Sequence, residues 1–185
     1  MAILVLWTIT QVMIKSGILK TKPNQMTILL DIDGVLETTL AWRRVEVLAD
    51  GFMKLNEKAI ENLQILYDRT NASIVLTSTH RVSLDEAKWK EIFRTRGLHF
   101  ETILKLNDKM EISQMLNRIT EIKEWVEEKG ENQNYVIIDD DNSINDLPEN
   151  IKERWVQTRP SVGFDEECLE KALFILTKNN GEYQV

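Results

Sequence analysis

The 185-residue sequence has one cysteine, Cys168, and two histidines, His80 and His99. A single thiol excludes a disulfide framework within the chain and a zinc site built from several thiolates. Two imidazoles are too few for most histidine-based metal centres. The scarcity of cysteine also fits a reducing compartment, and the cytoplasm is the expected location. Positive charge is short as well: 23 Lys and Arg stand against 30 Asp and Glu, for a formal net charge of −7. That sign disfavours strong, non-specific binding to duplex DNA. An acidic protein that handles phosphates needs a cation to lower the repulsion. There is no internal repeat and no low-complexity tract, and Pro148 and Pro160 punctuate loops without marking a linker. The remainder, 43% hydrophobic and 29% charged, is an ordinary globular mixture. A chain of this length can bury a core without disulfides or a structural metal.

The longest apolar stretch is AILVLWTITQVMIKSGIL, residues 2–19. No Lys or Arg precedes it, no small-residue cleavage site follows, and Gln11 and Lys15 interrupt it. It therefore reads as an apolar extension over residues 1–25, in preference to a signal peptide or a membrane anchor. A single domain over residues 26–185 is expected.

Within that domain, short apolar runs alternate with amphipathic ones. TILL (27–30), ASIVLTS (72–78) and YVIIDDD (135–141) read as buried strands, and RWVQT (154–158) as a further one. A short strand followed by a loop is expected within 98–112. Residues 55–69, 84–96 and 166–177 carry apolar residues at helical spacing. So do residues 113–128, with Ser113 as the expected cap and Met115, Ile119, Ile122 and Val126 on one stripe. Alternating strands and helices predict an α/β fold: a mainly parallel sheet with helices on both faces.

Three strands end in reactive polar groups: Asp31-Ile32-Asp33-Gly34, Thr77-Ser78-Thr79-His80-Arg81 and Asp139-Asp140-Asp141. In open parallel sheets ligands sit at the carboxyl ends of strands, so neighbouring strands would bring these groups together. Convergent carboxylates must take up protons or bind a cation. Mg²⁺ suits one or two carboxylates plus a substrate phosphate. A carboxylate can also attack phosphorus directly, and a second one two residues on can serve as general acid and base. Hydroxyls after the second strand would hold phosphoryl oxygens. The bland alternatives are a turn with capping aspartates and a solvated acidic loop.

DIDGVL resembles the first motif of the haloacid-dehalogenase-like (HAD) phosphatase superfamily, IVLTS its second and VIIDDD its fourth. The run Arg118-Ile-Thr-Glu-Ile-Lys-Glu-Trp125 is similar to a segment of the small HAD domains found in Swiss-army-knife RNA repair proteins. Thr158 and Gly163-Phe164 also fall where those domains have a Thr and a Gly-Leu pair. The resemblance covers residues 27–177. It implies a Rossmann-like three-layer α/β/α sandwich with a minimal cap. Asp31 would be the nucleophile and Asp33 the general acid and base, and Asp31, Asp33, Asp139 and Asp140 would hold Mg²⁺. Asp141 would cap the next segment or face solvent. Thr77 or Ser78 would bind phosphate, and Arg118, or else Lys109 or Lys123, would neutralise charge at the nucleophile. Arg81 would contact substrate phosphate or cap a local turn. His80 stands where the resembling domains often have Trp and is given no catalytic role. Trp42, Arg43 and Arg44 lie where HAD proteins carry a flap or small cap, and an aromatic beside two cations could stack a base and hold phosphates.

The expected function is Mg²⁺-dependent phosphoester hydrolysis through an aspartyl-phosphate. The expected substrate is a phosphorylated nucleotide or polynucleotide end, as in nucleic-acid repair. A small-metabolite phosphatase and a non-catalytic module that binds phosphate or a partner are the alternatives.

Overall fold

The computed structural model describes residues 25–38, 42–107, 113, 116–130 and 133–178. The expectations for the N-terminal apolar stretch, for Lys109 and for Met115 lie outside the described residues.

The apolar runs form five strands: β1 (Met26–Leu30), β2 (Ser73–Leu76), β3 (Ile103–Lys105), β4 (Asn134–Asp139) and β5 (Trp155–Gln157). Each neighbouring pair is parallel, in the order β3-β2-β1-β4-β5. The helices between and after them are α1 (Glu57–Thr70), α2 (Glu86–Thr95), α3 (Arg118–Lys129), α4 (Glu149–Lys152) and α5 (Glu166–Thr177).

Alternation along the strands divides the core in two. Ile28, Leu30, Ile74, Leu76, Val136 and Ile138 pack with Leu63 and Leu66 of α1, Trp89 and Phe93 of α2, and Leu173 and Leu176 of α5. Leu29, Val75, Tyr135 and Ile137 pack with Ile122, Trp125 and Val126 of α3 and Ile151 of α4. Both faces of the sheet are covered, which is why the strands read as near-continuous apolar runs. The result is a Rossmann-like three-layer α/β/α sandwich. The chain winds from β1 out to β3 and then returns to lay β4 and β5 on the other side of β1. Strand order therefore reverses between β1 and β4, the position at which open parallel sheets bind ligands at their strand carboxyl ends.

One helix boundary differs from the sequence expectation in a way that matters for the site. The helix expected from residue 113 begins at Arg118, because Asn117 caps it instead of Ser113. The Asn117 side-chain oxygen accepts from both the backbone N–H and the hydroxyl of Thr120, each at 2.8 Å. Arg118 thus becomes the first residue of α3.

Between β1 and α1, residues 46–54 form a small hairpin. Leu48 N–H donates to Phe52 C=O at 2.9 Å and Lys54 N–H to Glu46 C=O at 2.8 Å. Arg96, just past α2, grips it from below. Its guanidinium reaches both Asp50 carboxylate oxygens, at 2.6 and 3.1 Å, and the Met53 carbonyl at 2.8 Å. The Arg96 hydrogen bonds hold the Asp50 carboxyl well below the usual carboxylate range. This hairpin lies where a small cap was expected. Among the described residues, no helix is long and apolar enough to cross a membrane.

Arg96→Ala is expected to free the hairpin while the sheet stays intact. Amide hydrogen exchange at Leu48 and Lys54 should rise by about tenfold or more, with the β1 and β4 amides unchanged. Unchanged exchange at Leu48 and Lys54 would show that the hairpin holds itself.

Candidate active site

The pairing of β1 with β4 sets Leu30 beside Ile138, so the acids that follow emerge together. Asp31 N–H donates to Ile138 C=O at 3.0 Å, and on the other side Thr77 N–H donates to Leu30 C=O at 2.9 Å. Carboxylate oxygens of Asp31, Asp139 and Asp140 all lie within 4.8 Å of one another. The loop after Asp31 then turns tightly: the amides of Val35, Leu36 and Glu37 converge on the Ile32 carbonyl, at 3.2, 2.8 and 2.9 Å.

Gly34 permits this turn. Its φ is +68°, and a Cβ there would sit 2.4 Å from the Asp140 carboxyl. No side chain fits without displacing an acid of the cluster. Thr158 Oγ1 donates to the Gly34 carbonyl at 2.8 Å, and Phe164 N–H to the Val35 carbonyl at 2.9 Å. The Thr158 and Gly163-Phe164 signals in the sequence thus belong to the scaffold under this loop.

Arg118 ties the cluster together. It donates to Thr77 Oγ1 at 3.0 Å and Asp31 at 3.3 Å, and it also pairs with Asp139. A cation at the first residue of a helix is opposed by the helix dipole, so the carboxylates must outweigh that penalty. Burial also works against the Arg118 charge, but Asp31 and Asp139 hold its pKa above the ordinary value. The acids move the opposite way. Burial pushes Asp31 up, with Arg118 opposing. Burial first, and then the Asp31 charge, push Asp139 up to about 7. Asp140 is raised by the same two causes in the same order. One guanidinium therefore undercompensates the cluster. Its all-oxygen donor set fits a hard divalent cation, with Asp31, Asp139 and Asp140 as the groups that would hold it.

Among the described residues, the candidates left open by the sequence stand in different surroundings. Thr77 is buried at the cluster and touches Arg118, whereas Ser78 Oγ accepts from His80 N–H at the start of the 3₁₀ turn Thr79–Val82. Lys123 lies on the exposed side of α3 beside Glu127 at 3.9 Å. Among the described residues, Arg118 pairs with Asp31. Asp141 caps the next turn, accepting from Ser143 N–H at 2.8 Å.

Of the two roles expected for Arg81, the structure shows the tie to a local turn: its side chain is 0% exposed. Its guanidinium donates to the Thr77 and Ser78 carbonyls and pairs with Glu121 at 2.6 Å. Glu121 in turn accepts from Asn107 at 2.6 Å and from Leu116 N–H at 3.3 Å. Arg81 thus pins the β2 loop to α3, three residues beyond Arg118. Trp42 is 78% exposed. Arg43 and Arg44 line an open groove of about 530 Å³ with Glu37, Lys54 and Ser161.

His80 was given no role from sequence, yet its Nε2 stands 3.2 Å from Asp33 Oδ2. The Asp33 hydrogen bond pushes the imidazole pKa up, with burial opposing. Only a position just after a strand ending signalled this contact. Glu121 was also missed as a functional support, although a carboxylate one turn after Arg118 and next to the buried Ile122 was a readable clue.

A comparison with protein families matches residues 27–169 to the HAD domain in Swiss Army Knife RNA repair proteins, well over half of the chain. The chain belongs to this family. A search of curated proteins gives no match. The match spans β1 to β5 and the acidic strand ends at the reversal point of the sheet.

Two outcomes are expected of this site. Arg81→Met leaves Glu121 buried without its cation and should cost about 3–5 kcal/mol of stability. Urea unfolding measures this, and a stability within about 0.5 kcal/mol of wild type would contradict the pinning role. The second concerns pH. In the folded HAD domain Asp139 keeps its proton to about 7, whereas the unfolded chain gives it up near 3.8. The folded value is the raised one, so this stabilising contribution is complete below the unfolded value and is lost as pH rises through the folded one. Metal-free protein should therefore melt progressively lower than its Asp139→Asn variant as pH rises across that window. Divalent metal should remove the difference in wild type. Parallel melting profiles for the two proteins would contradict it.

Proposed function

We propose that this HAD domain is a Mg²⁺-dependent phosphoester hydrolase that acts through an aspartyl-phosphate on Asp31. The observation that carries the reading is the Asp31 carboxylate at the reversal point, bridged by Arg118 to Asp139, with a second carboxylate, Asp33, two residues on. Asp31, Asp139 and Asp140, with the Asp33 main-chain carbonyl, would hold the cation. Bound Mg²⁺ supplies positive charge that offsets repulsion between the carboxylates and the incoming phosphate.

In the first step an Asp31 oxygen attacks phosphorus. The bond from phosphorus to the leaving oxygen breaks, and Asp33 gives that oxygen its proton. In the second step Asp33, now ionised, takes a proton from water as the water oxygen attacks the same phosphorus. The Asp31–phosphorus bond breaks, which releases phosphate and restores both carboxyls. Arg118 and the Thr77 hydroxyl hold the phosphoryl oxygens and the nucleophile in line. Arg118 also opposes the burial that favours a proton on Asp31.

The substrate is proposed to be a phosphorylated polynucleotide end, as the family's association with RNA repair suggests. The open groove beside Arg43 and Arg44 supports a substrate whose bulk stays outside the site. Trp42, exposed next to Arg43 in the chain, would stack on a base. The test is Mg²⁺-dependent phosphate release from an aryl phosphate, from small phosphorylated metabolites and from oligonucleotides phosphorylated at either end. Asp31→Asn should lower kcat by about a thousandfold or more. Asp33→Asn should lower it by about 10²–10⁴-fold. Release that survives Asp31→Asn would sink the covalent route. Turnover of small metabolites alone would sink the polynucleotide assignment.

A further inference from the structure

We infer that His80 is a positioning residue for Asp33: its imidazole N–H holds the acid–base carboxyl in one rotamer, aimed at the leaving oxygen. The inference rests on the hydrolase reading above and adds to it a residue outside the family's motif.

The Asp33 carboxyl differs from the others in the cluster. Asp139 is fully buried and fixed by Arg118 and by Asp141 N–H, whereas the Asp33 side chain is 53% exposed. An exposed aspartate samples several staggered rotamers, and only one directs an oxygen at a given leaving group. General acid catalysis needs that oxygen within about 2.6–3.2 Å of its target. Something must narrow the choice.

His80 is built to do so. Nε2 hydrogen-bonds Asp33 Oδ1 at 3.4 Å and lies 3.2 Å from Oδ2, so the ring stands against the whole carboxyl. Each oxygen keeps lone-pair capacity for the leaving group or for water. The imidazole is itself held from two sides. Its backbone N–H reaches Ser78 Oγ in the turn that buried Arg81 pins. Its ring meets Phe52 of the hairpin edge-on, with centroids 5.6 Å apart and planes at 83°. The bond needs a hydrogen on Nε2, and both the imidazolium and the Nε2–H tautomer provide one. An isolated exposed pair of this kind adds little to stability. A fixed imidazole beside a mobile carboxyl instead contributes orientation, which acts on the rate.

The test compares leaving groups. Nitrophenolate leaves with little need of a proton, whereas a sugar alkoxide cannot leave without one. The variants are His80→Leu, which removes the donor, His80→Asn, whose donor falls short, and His80→Gln, whose amide N–H reaches about as far as Nε2. For each, kcat/KM is measured on nitrophenyl phosphate and on a terminally phosphorylated oligonucleotide. His80→Leu and His80→Asn should lose at least about tenfold more on the oligonucleotide than on the aryl ester. His80→Gln should recover most of that differential loss. Equal losses on both substrates, no loss on the oligonucleotide, or a Gln variant as selective in its defect as Leu would each overturn the assignment. Wild-type protein that releases phosphate from neither substrate would instead overturn the hydrolase reading and the catalytic role of the pair with it.

Discussion

The bridge from Arg118 to Asp31, Asp139 and Thr77 is the contact on which the rest of the site depends. Three carboxylates gathered at the ends of two central strands repel one another, and the low-polarity surroundings sharpen that repulsion. The sheet cannot move them apart, because β1 and β4 are locked in register by their ladder. A cation has to be brought in from outside the sheet. α3 brings it, and it does so from its first residue, where its own dipole is least hospitable to positive charge. The site is thus stable only as long as α3 is held against the sheet.

That requirement explains the arrangement behind Arg118. Ile122, Trp125 and Val126 seat α3 on one face of the sheet. Arg81 and Glu121 fix its end to the β2 loop in a fully buried ion pair. A buried pair is costly to desolvate and gives little net stability over an apolar contact. Here it gives direction: one guanidinium sets the Thr77 and Ser78 carbonyls and the start of α3 at once. The acid cluster is consequently graded, from Asp139 in the interior to Asp33 at the solvent side. The buried end suits a metal and a nucleophile, and the open end suits proton exchange.

Most of the fold was legible in the sequence, because apolar runs ending in Asp or Thr are short-range signals. TILL-DID, SIVL-TS and VII-DD each marked a strand and the site residues at its end, and the parallel order followed from strand–helix alternation. The rest depended on contacts that sequence spacing does not encode. Arg81 and Glu121 are far apart in the chain, so the sequence left Arg81 between a phosphate ligand and a cap on a local turn and gave no sign of its buried partner. The true start of α3 turned on whether Ser113 or Asn117 supplied the cap, and both are good capping residues. His80 beside Asp33 required the fold of the β2 turn, which Arg81 determines.

Gly34 carries a consequence for how such a site can change over time. The gap between the first loop and Asp140 is the width of a missing methyl group. A substitution at Gly34 displaces Asp140, and a longer side chain in place of Asp140 collides with the loop that carries Asp33. Neither half of the site can be resized alone, so alterations that preserve chemistry must arrive in pairs.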